Sequence, residues 1–102
     1  MKVIRSGECG NSPKNAFVED FVIALFSGDE VSHWVTGDFL LPAIDREGIS
    51  AITVSHAISH GRIGACNGVL TSTEGALGFA VMMEFANTKG DRIKRVDLYR
   101  GT

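Results

Sequence analysis

Two histidines four residues apart, His56 and His60, and the alternating pair Asp97 and Tyr99 are the side chains whose types and spacing bear most directly on chemistry. On a helix that spacing would bring both imidazoles to one face and suggest a metal pair. The flanking residues alternate instead: Ile52, Val54, His56, Ile58 and His60 fall on one face of a strand, and Ala51, Thr53, Ser55, Ala57 and Ser59 on the other. Four residues of strand span ~13 Å, too far for one ion to join both rings, so no metal site is expected. An imidazole that titrates near neutral pH can instead serve as acid or base in a cavity, or be held by neighbouring backbone at the open end of a sheet. Asp97 and Tyr99 alternate with Val96 and Leu98. They line a cavity mouth or face solvent; if Val96 and Leu98 form the concave face instead, Asp97 pairs with a cation of an adjacent strand. His56, His60 and Asp97 are therefore the catalytic candidates.

Other chemistry finds less support. Glu84 lies opposite the apolar series Phe79, Val81, Met83 and Phe85, which places it on a surface or interface. Trp34 offers a large apolar wall with one donor, as the cap of a pocket or as part of a core. Gly61, Gly64 and Gly68 do not lead from a strand into a helix, so no nucleotide fingerprint applies, and glycines in strands permit bulges and bends. No G-x-S-x-G elbow is present. Cys9 and Cys66 form no C-x-x-C and have no histidine at ligand spacing, which reads as two free thiols rather than a disulfide or a zinc site. No cofactor is called for.

The elements that must position these residues are legible in the punctuation. Ser12-Pro13 is a helix start, and Phe17, Val18, Phe21, Val22, Ala24 and Leu25 recur at helical spacing, with Lys14, Asn15, Glu19 and Asp20 on the wet side, until Gly28 ends it. Ile23 and Phe26 widen the stripe, so the helix is covered on more than one side. Val31 to Thr36 reads as a short strand ending at Gly37-Asp38, and Phe39 to Gly48, broken by Pro42, as irregular with at most about one helical turn. Strands follow over 49–60, 63–72, 76–87 and 92–100, with turns at Thr73-Glu74-Gly75 and at 88–91. This is an α+β plan: an N-terminal helix packed on a curved antiparallel sheet. One helix scarcely covers four long strands. Either the sheet wraps around it, or a second copy covers the remainder, for which the small residues on the outer face of strand 49–60 give room.

Composition bounds the rest. The chain has 102 residues, of which 44% are hydrophobic, enough for one domain spanning 1–102 with a core of its own. Ten basic against twelve acidic residues give a net charge of -2, without the basic excess that nucleic-acid binding requires. The longest apolar run, Phe21 to Phe26, is far short of the ~20 residues of a membrane span. The first fifteen residues lack the apolar core of a signal peptide, so the expected location is cytoplasmic.

The helix NSPKNAFVEDFVIALFSGD, the Trp-bearing segment ending at Gly37-Asp38, Ser59-His60-Gly61 followed by Asn67-Gly68, and Glu84-Phe85-x-Asn87 before Lys89-Gly90-Asp91 together resemble the nuclear transport factor 2-like superfamily. The likeness is greatest to small bacterial SnoaL-like proteins. The resemblance implies a cone-shaped, cystatin-like α+β fold, an apolar cavity between helix and concave sheet, and a homodimer packed through the sheet. Phe17, Phe21, Trp34, Val54, His56, Val81, Met83 and Tyr99 are then the expected pocket lining. The segment 39–48 is shorter than in such relatives, which leaves the cavity wall open, and Val81 stands where some members carry an acid. Two functions follow: a dimeric domain that takes a small hydrophobic molecule, or an isomerase, cyclase or hydrolase using His56, His60 or Asp97.

Overall fold

The computed structural model describes residues 1–7, 9, 10 and 12–101. Strand β1 (Lys2–Ile4) is followed by helix α1 (Pro13–Ser27), and then by the strands β2 (Ile49–His60), β3 (Ile63–Ser72), β4 (Gly75–Phe85) and β5 (Ile93–Gly101). Asn11, which opens the helix motif quoted above, lies outside the described residues, as does Thr102. The class is α+β, one helix on one open sheet.

The helix forms where its caps dictate. The Ser12 hydroxyl accepts the Asn15 amide at 3.2 Å, Pro13 occupies the first turn, and Gly28 closes the helix in the left-handed region at φ 78° with its amide on the Ala24 carbonyl. Every residue from Phe21 to Phe26 is buried, as the wide stripe requires. Glu19 departs from its expected wet position: it is 3% exposed, because the chain after β1 crosses over it and the Ser6 amide donates to its carboxylate at 2.7 Å.

The sheet order is β1-β2-β3-β4-β5, with β1 parallel to β2 and each later pair antiparallel. The hairpin meander stands as read, and β1 is an addition that three residues are too short to announce by periodicity. The segment Val31–Thr36 is not a strand. The Glu30 carboxylate accepts the Ser32 amide at 2.9 Å and turns the chain into a 3-10 helix at Ser32–Trp34, which leaves, among the described residues, a single bridge, Val35 to Ile93. Residues 39–46 hold no regular structure. They are pinned by Arg46, whose Nε donates at 2.8 Å to Leu25 O, a carbonyl left without a partner at the helix end.

One irregularity decides which side chains face which way. Val54 pairs with Gly68, but His56 pairs with Asn67, so Ser55 is an extra residue in β2. A one-residue bulge inverts the alternation. Ile52 and Val54 before it point at the helix, and so does Ala57 after it. His56, Ile58 and His60, expected to share the Ile52 face, lie on the opposite one, while Ala57 and Ser59 point inward.

The inner face is filled. Phe79, Val81, Met83 and Phe85 present the apolar series expected of β4, against Val18, Phe21, Val22 and Phe26 of α1. The Phe26 and Phe79 rings lie 5.0 Å apart and those of Phe17 and Phe85 6.2 Å apart, near enough for edge contacts.

Candidate functional site

With the helix covering one side of the sheet, the other side carries the sequence-predicted polar residues in three cross-strand rows. His56, Asn67, Ala80 and Tyr99 pair in register from β2 to β5, as do Ile58, Ala65, Met82 and Asp97, and then His60, Ile63, Glu84 and Arg95. Cross-strand neighbours on one face stand ~5 Å apart, so each row is a line of mutual contact.

Large apolar side chains on this face remain in water: Ile58 is 61% exposed, Tyr99 57%, Ile63 44% and Met82 41%. Single exposed apolar residues are ordinary, but a group in adjoining rows marks an interaction surface. The small residues in the middle of the rows create relief. Ala65, between Ile58 and Met82 in one row, and Ala80, next to Asn67 in the row that begins at His56, form a low floor, and the hollow over them is about 380 Å³. A second hollow of about 200 Å³ continues along Ile58, Ala65 and Met82 to His60 and Ile63.

The three catalytic candidates are not assembled. His56 and His60 are separated along β2 by ~13 Å, and Asp97 lies three strands away from β2, a further ~14 Å. Asp97 pairs not with an adjacent strand but with Arg95 of its own, Nη2 to Oδ1 at 3.3 Å. Val96 and Leu98 pack against the core, the arrangement in which Asp97 takes an ion-pair role. Glu84 sits on the outer surface, 3.6 Å from Lys94.

The expected pocket lining divides between the two faces. Val54, Phe21, Val81 and Met83 are core residues at 2% exposure or less. Phe17 and Trp34 are half-buried beside them, their rings 6.2 Å apart. His56 and Tyr99 are on the outer face, in one row with Asn67 and Ala80 between them. The space between helix and sheet, where the resemblance places a cavity, is occupied by this aromatic packing.

Ala65, Asn67, Ala80 and Met82 were not singled out as site residues by sequence reasoning. Their shared outward phase could be read from the alternation of strands 63–72 and 75–85, but alanines carry no chemical signal.

Away from this face lies one buried charged cluster. Burial pushes the Glu19 carboxyl up, but hydrogen bonds from the Ser6 amide, the Cys9 thiol and the Ser6 hydroxyl, together with Arg5, outweigh it and hold the group below its ordinary range. Arg5 reaches both Glu19, at 3.9 Å, and Asp20, at 2.6 Å. Cys9 and Cys66 are free thiols. Burial pushes Cys66 up to about 12, where it is a poor nucleophile. Among the described residues no group of three or more acidic, histidine or cysteine side chains could hold a metal, and no helix is long and apolar enough to cross a membrane.

No family model, curated protein or solved structure matches this chain.

Proposed function

We propose that this is a non-catalytic, self-associating domain in which the outer face of the sheet packs on the same face of a second copy. The observation that carries it is the exposed apolar group Ile58, Ile63, Met82 and Tyr99 arranged about the Ala65 and Ala80 floor. Four strands ~4.8 Å apart and about ten residues long present roughly 19 by 33 Å, comparable with the ~800 Å² per partner of a standard interface. Charge supports a copy of the same chain as the partner. The face carries Glu84 and Asp97 beside Arg95 and Lys94, so a two-fold rotation can set acids against bases, as an isologous contact requires.

The resemblance to nuclear transport factor 2-like proteins supports the same reading, since it implies a dimer packed through the sheet. Free thiols suit a reducing compartment, which supports a cytoplasmic setting. Acid–base catalysis by His56, His60 and Asp97 is the weaker reading, because the three are spread along and across the sheet, ~13–14 Å from one another, too far apart to act on one reacting atom.

Sedimentation velocity at micromolar concentration tests the proposal. The expected mass is twice the 10.9 kDa of one chain, falling to one chain in Met82→Asp, whose new carboxylate would face the partner, with an unchanged circular dichroism spectrum. A monomeric wild-type protein, or a Met82→Asp variant that is folded and still dimeric, overturns it.

A further inference from the structure

In an isologous contact a face meets its own rotated image, so a face with a hollow must also carry what fills it. The outer face has both. A trough of about 380 Å³ lies over Ala65 and Ala80, and the exposed side chain of Met82 stands beside it, next to Ala65 across the strands and two residues from Ala80 along β4. Methionine is unbranched and adapts to an irregular seat of this kind.

The register of the rows decides where the two-fold axis fits. Next to the row of Asn67 and Ala80, on the side away from Ala65 and Met82, the outward row holds Thr53, Val69, Gly78 and Gly101. Consider an axis in the plane between two packed sheets that crosses the strands midway between the Asn67–Ala80 and Ala65–Met82 pairs. It sets Met82 of each copy over Ala80 of the other, Asn67 over Ala65, and Ile63 over Val69, and it brings the Tyr99 hydroxyl to the Asp97 carboxylate. Tilting the axis to give the ~30° crossing of packed sheets moves the pairs on β3 and β4 least, since these strands lie nearest the centre.

The other simple axes leave mismatches. One running along the strands between β3 and β4 sets Ile58 on Asp97 and Ile63 on Glu84, an apolar side chain on a carboxylate in both cases. One along the Ala65–Met82 row sets Ala65 on Ala65 and Asp97 on Asp97, and one along the Asn67–Ala80 row sets Ala80 on Ala80. Each of these two leaves part of the floor facing another alanine, with a void between.

We infer that the trough is the seat for Met82 of a second copy, Met82 and Ala80 being exchanged by a two-fold axis that crosses the strands between their rows. The inference rests on the self-association reading and adds to it which residue meets which.

Exchange of the projecting and receiving residues tests it. Ala80→Met fills the seat and Met82→Ala removes what enters it, and sedimentation velocity of each full-length variant is expected to show dimerisation weakened about tenfold or more. The double variant Ala80→Met/Met82→Ala again offers one methionine and one seat per copy, and is expected to return to within about threefold of wild type. In an equimolar mixture of the two single variants, native mass spectrometry is expected to find mainly the heterodimer, in which one copy supplies both methionines and the other both seats. Circular dichroism checks folding, and Ala80→Leu replaces Ala80→Met throughout if the latter does not fold. A double variant as weak as the two single effects combined overturns the seat while leaving a dimeric wild type standing. So do a heterodimer no more abundant than random pairing gives, or single variants that dimerise as tightly as wild type. A folded but monomeric wild type overturns the self-association reading, and the seat with it.

Discussion

Gly68 lies beneath Thr53 so closely that a Cβ on the glycine would overlap the Thr53 carbonyl oxygen and its carbon, and would also come within 3.0 Å of the Phe79 ring. The contact occurs where β2 bulges at Ser55 and leans over β3, so the missing side chain is what permits the bulge. Gly68→Ala is expected to cost about 3 kcal/mol, the upper part of the range for forced overpacking, because backbone rather than a movable side chain stands in the way. Gly37→Ala is the control, with nothing within 4 Å of the added methyl and an expected change inside about 0.5 kcal/mol. Urea unfolding of both variants reads the difference. Similar midpoints for the two would mean that the bulge does not depend on this approach.

The bulge also explains what alternation could and could not reveal. The helix was readable from Ser12, Pro13 and Gly28, and the four strands of the hairpin meander from their turns and from the Phe79 to Phe85 series, because these signals are local. The face of His56 and His60 was not, since a single extra residue at Ser55 inverts every later position and is fixed by the pairing with β3 rather than by β2 itself. Glu19 is similar: its helical position reads as wet, and only the approach of Arg5, Ser6 and Cys9 buries it. The β-prone run at Val31 was overridden by one carboxylate, that of Glu30. The trough was hidden for a different reason, being made by alanines whose significance is the height of their neighbours.

The Glu19 cluster sets a pH dependence with a definite sign. Its carboxyl lies below the ordinary value of 4.5 in the folded chain, so folding binds fewer protons than unfolding in that region. The stabilisation is full above about the unfolded value and is lost as pH falls through the lower, folded one. Glu30 and Asp38 are also held low, by Ser32 and Thr36 respectively, and contribute to the same trend. Glu19→Gln keeps an acceptor for Ser6 without the charge. Its stability is expected to lie about 1–2 kcal/mol below wild type at pH 7 and to converge on it as pH falls through the lowered value of the folded carboxyl, a flatter profile in thermal unfolding. A constant offset from pH 7 to 3 would show that the charge of Glu19 is not the source.

Thiol labelling should separate the two cysteines. Cys66 is 2% exposed, and burial pushes its thiol up to about 12, so both access and thiolate fraction oppose reaction. In a Cys9→Ser variant at pH 8, Cys66 is expected to react with a disulfide reagent at least ~10³-fold more slowly than the unfolded chain, the rate following global opening. Cys9 is half-buried, and burial followed by its Glu19 contact raises its thiol as well, so it should react at an intermediate rate in Cys66→Ala. Labelling of Cys66 with no dependence on urea below the unfolding transition would indicate a local opening of the sheet core instead.

Lys14 joins three parts of the chain that are distant in sequence. Its ammonium donates to Gly61 O in the β2–β3 turn and, at 3.1 Å, to Thr88 O in the β4–β5 connection, while lying 5.1 Å from the Phe85 ring centroid. Lys14→Met keeps most of the apolar stem and removes both charged hydrogen bonds, with an expected cost of about 1–2 kcal/mol. Gly90 packs against that stem: a Cβ there would overlap the Lys14 side chain, and its φ of +71° is one that other residues adopt only under strain. The two penalties are separable in a double-mutant cycle. Gly90→Ala should be more destabilising in the wild type than in Lys14→Ala, where only the backbone strain of about 1 kcal/mol remains. Equal costs in the two backgrounds would assign the requirement for Gly90 to its backbone angle alone and would remove Lys14 from the account of why the turn is built this way.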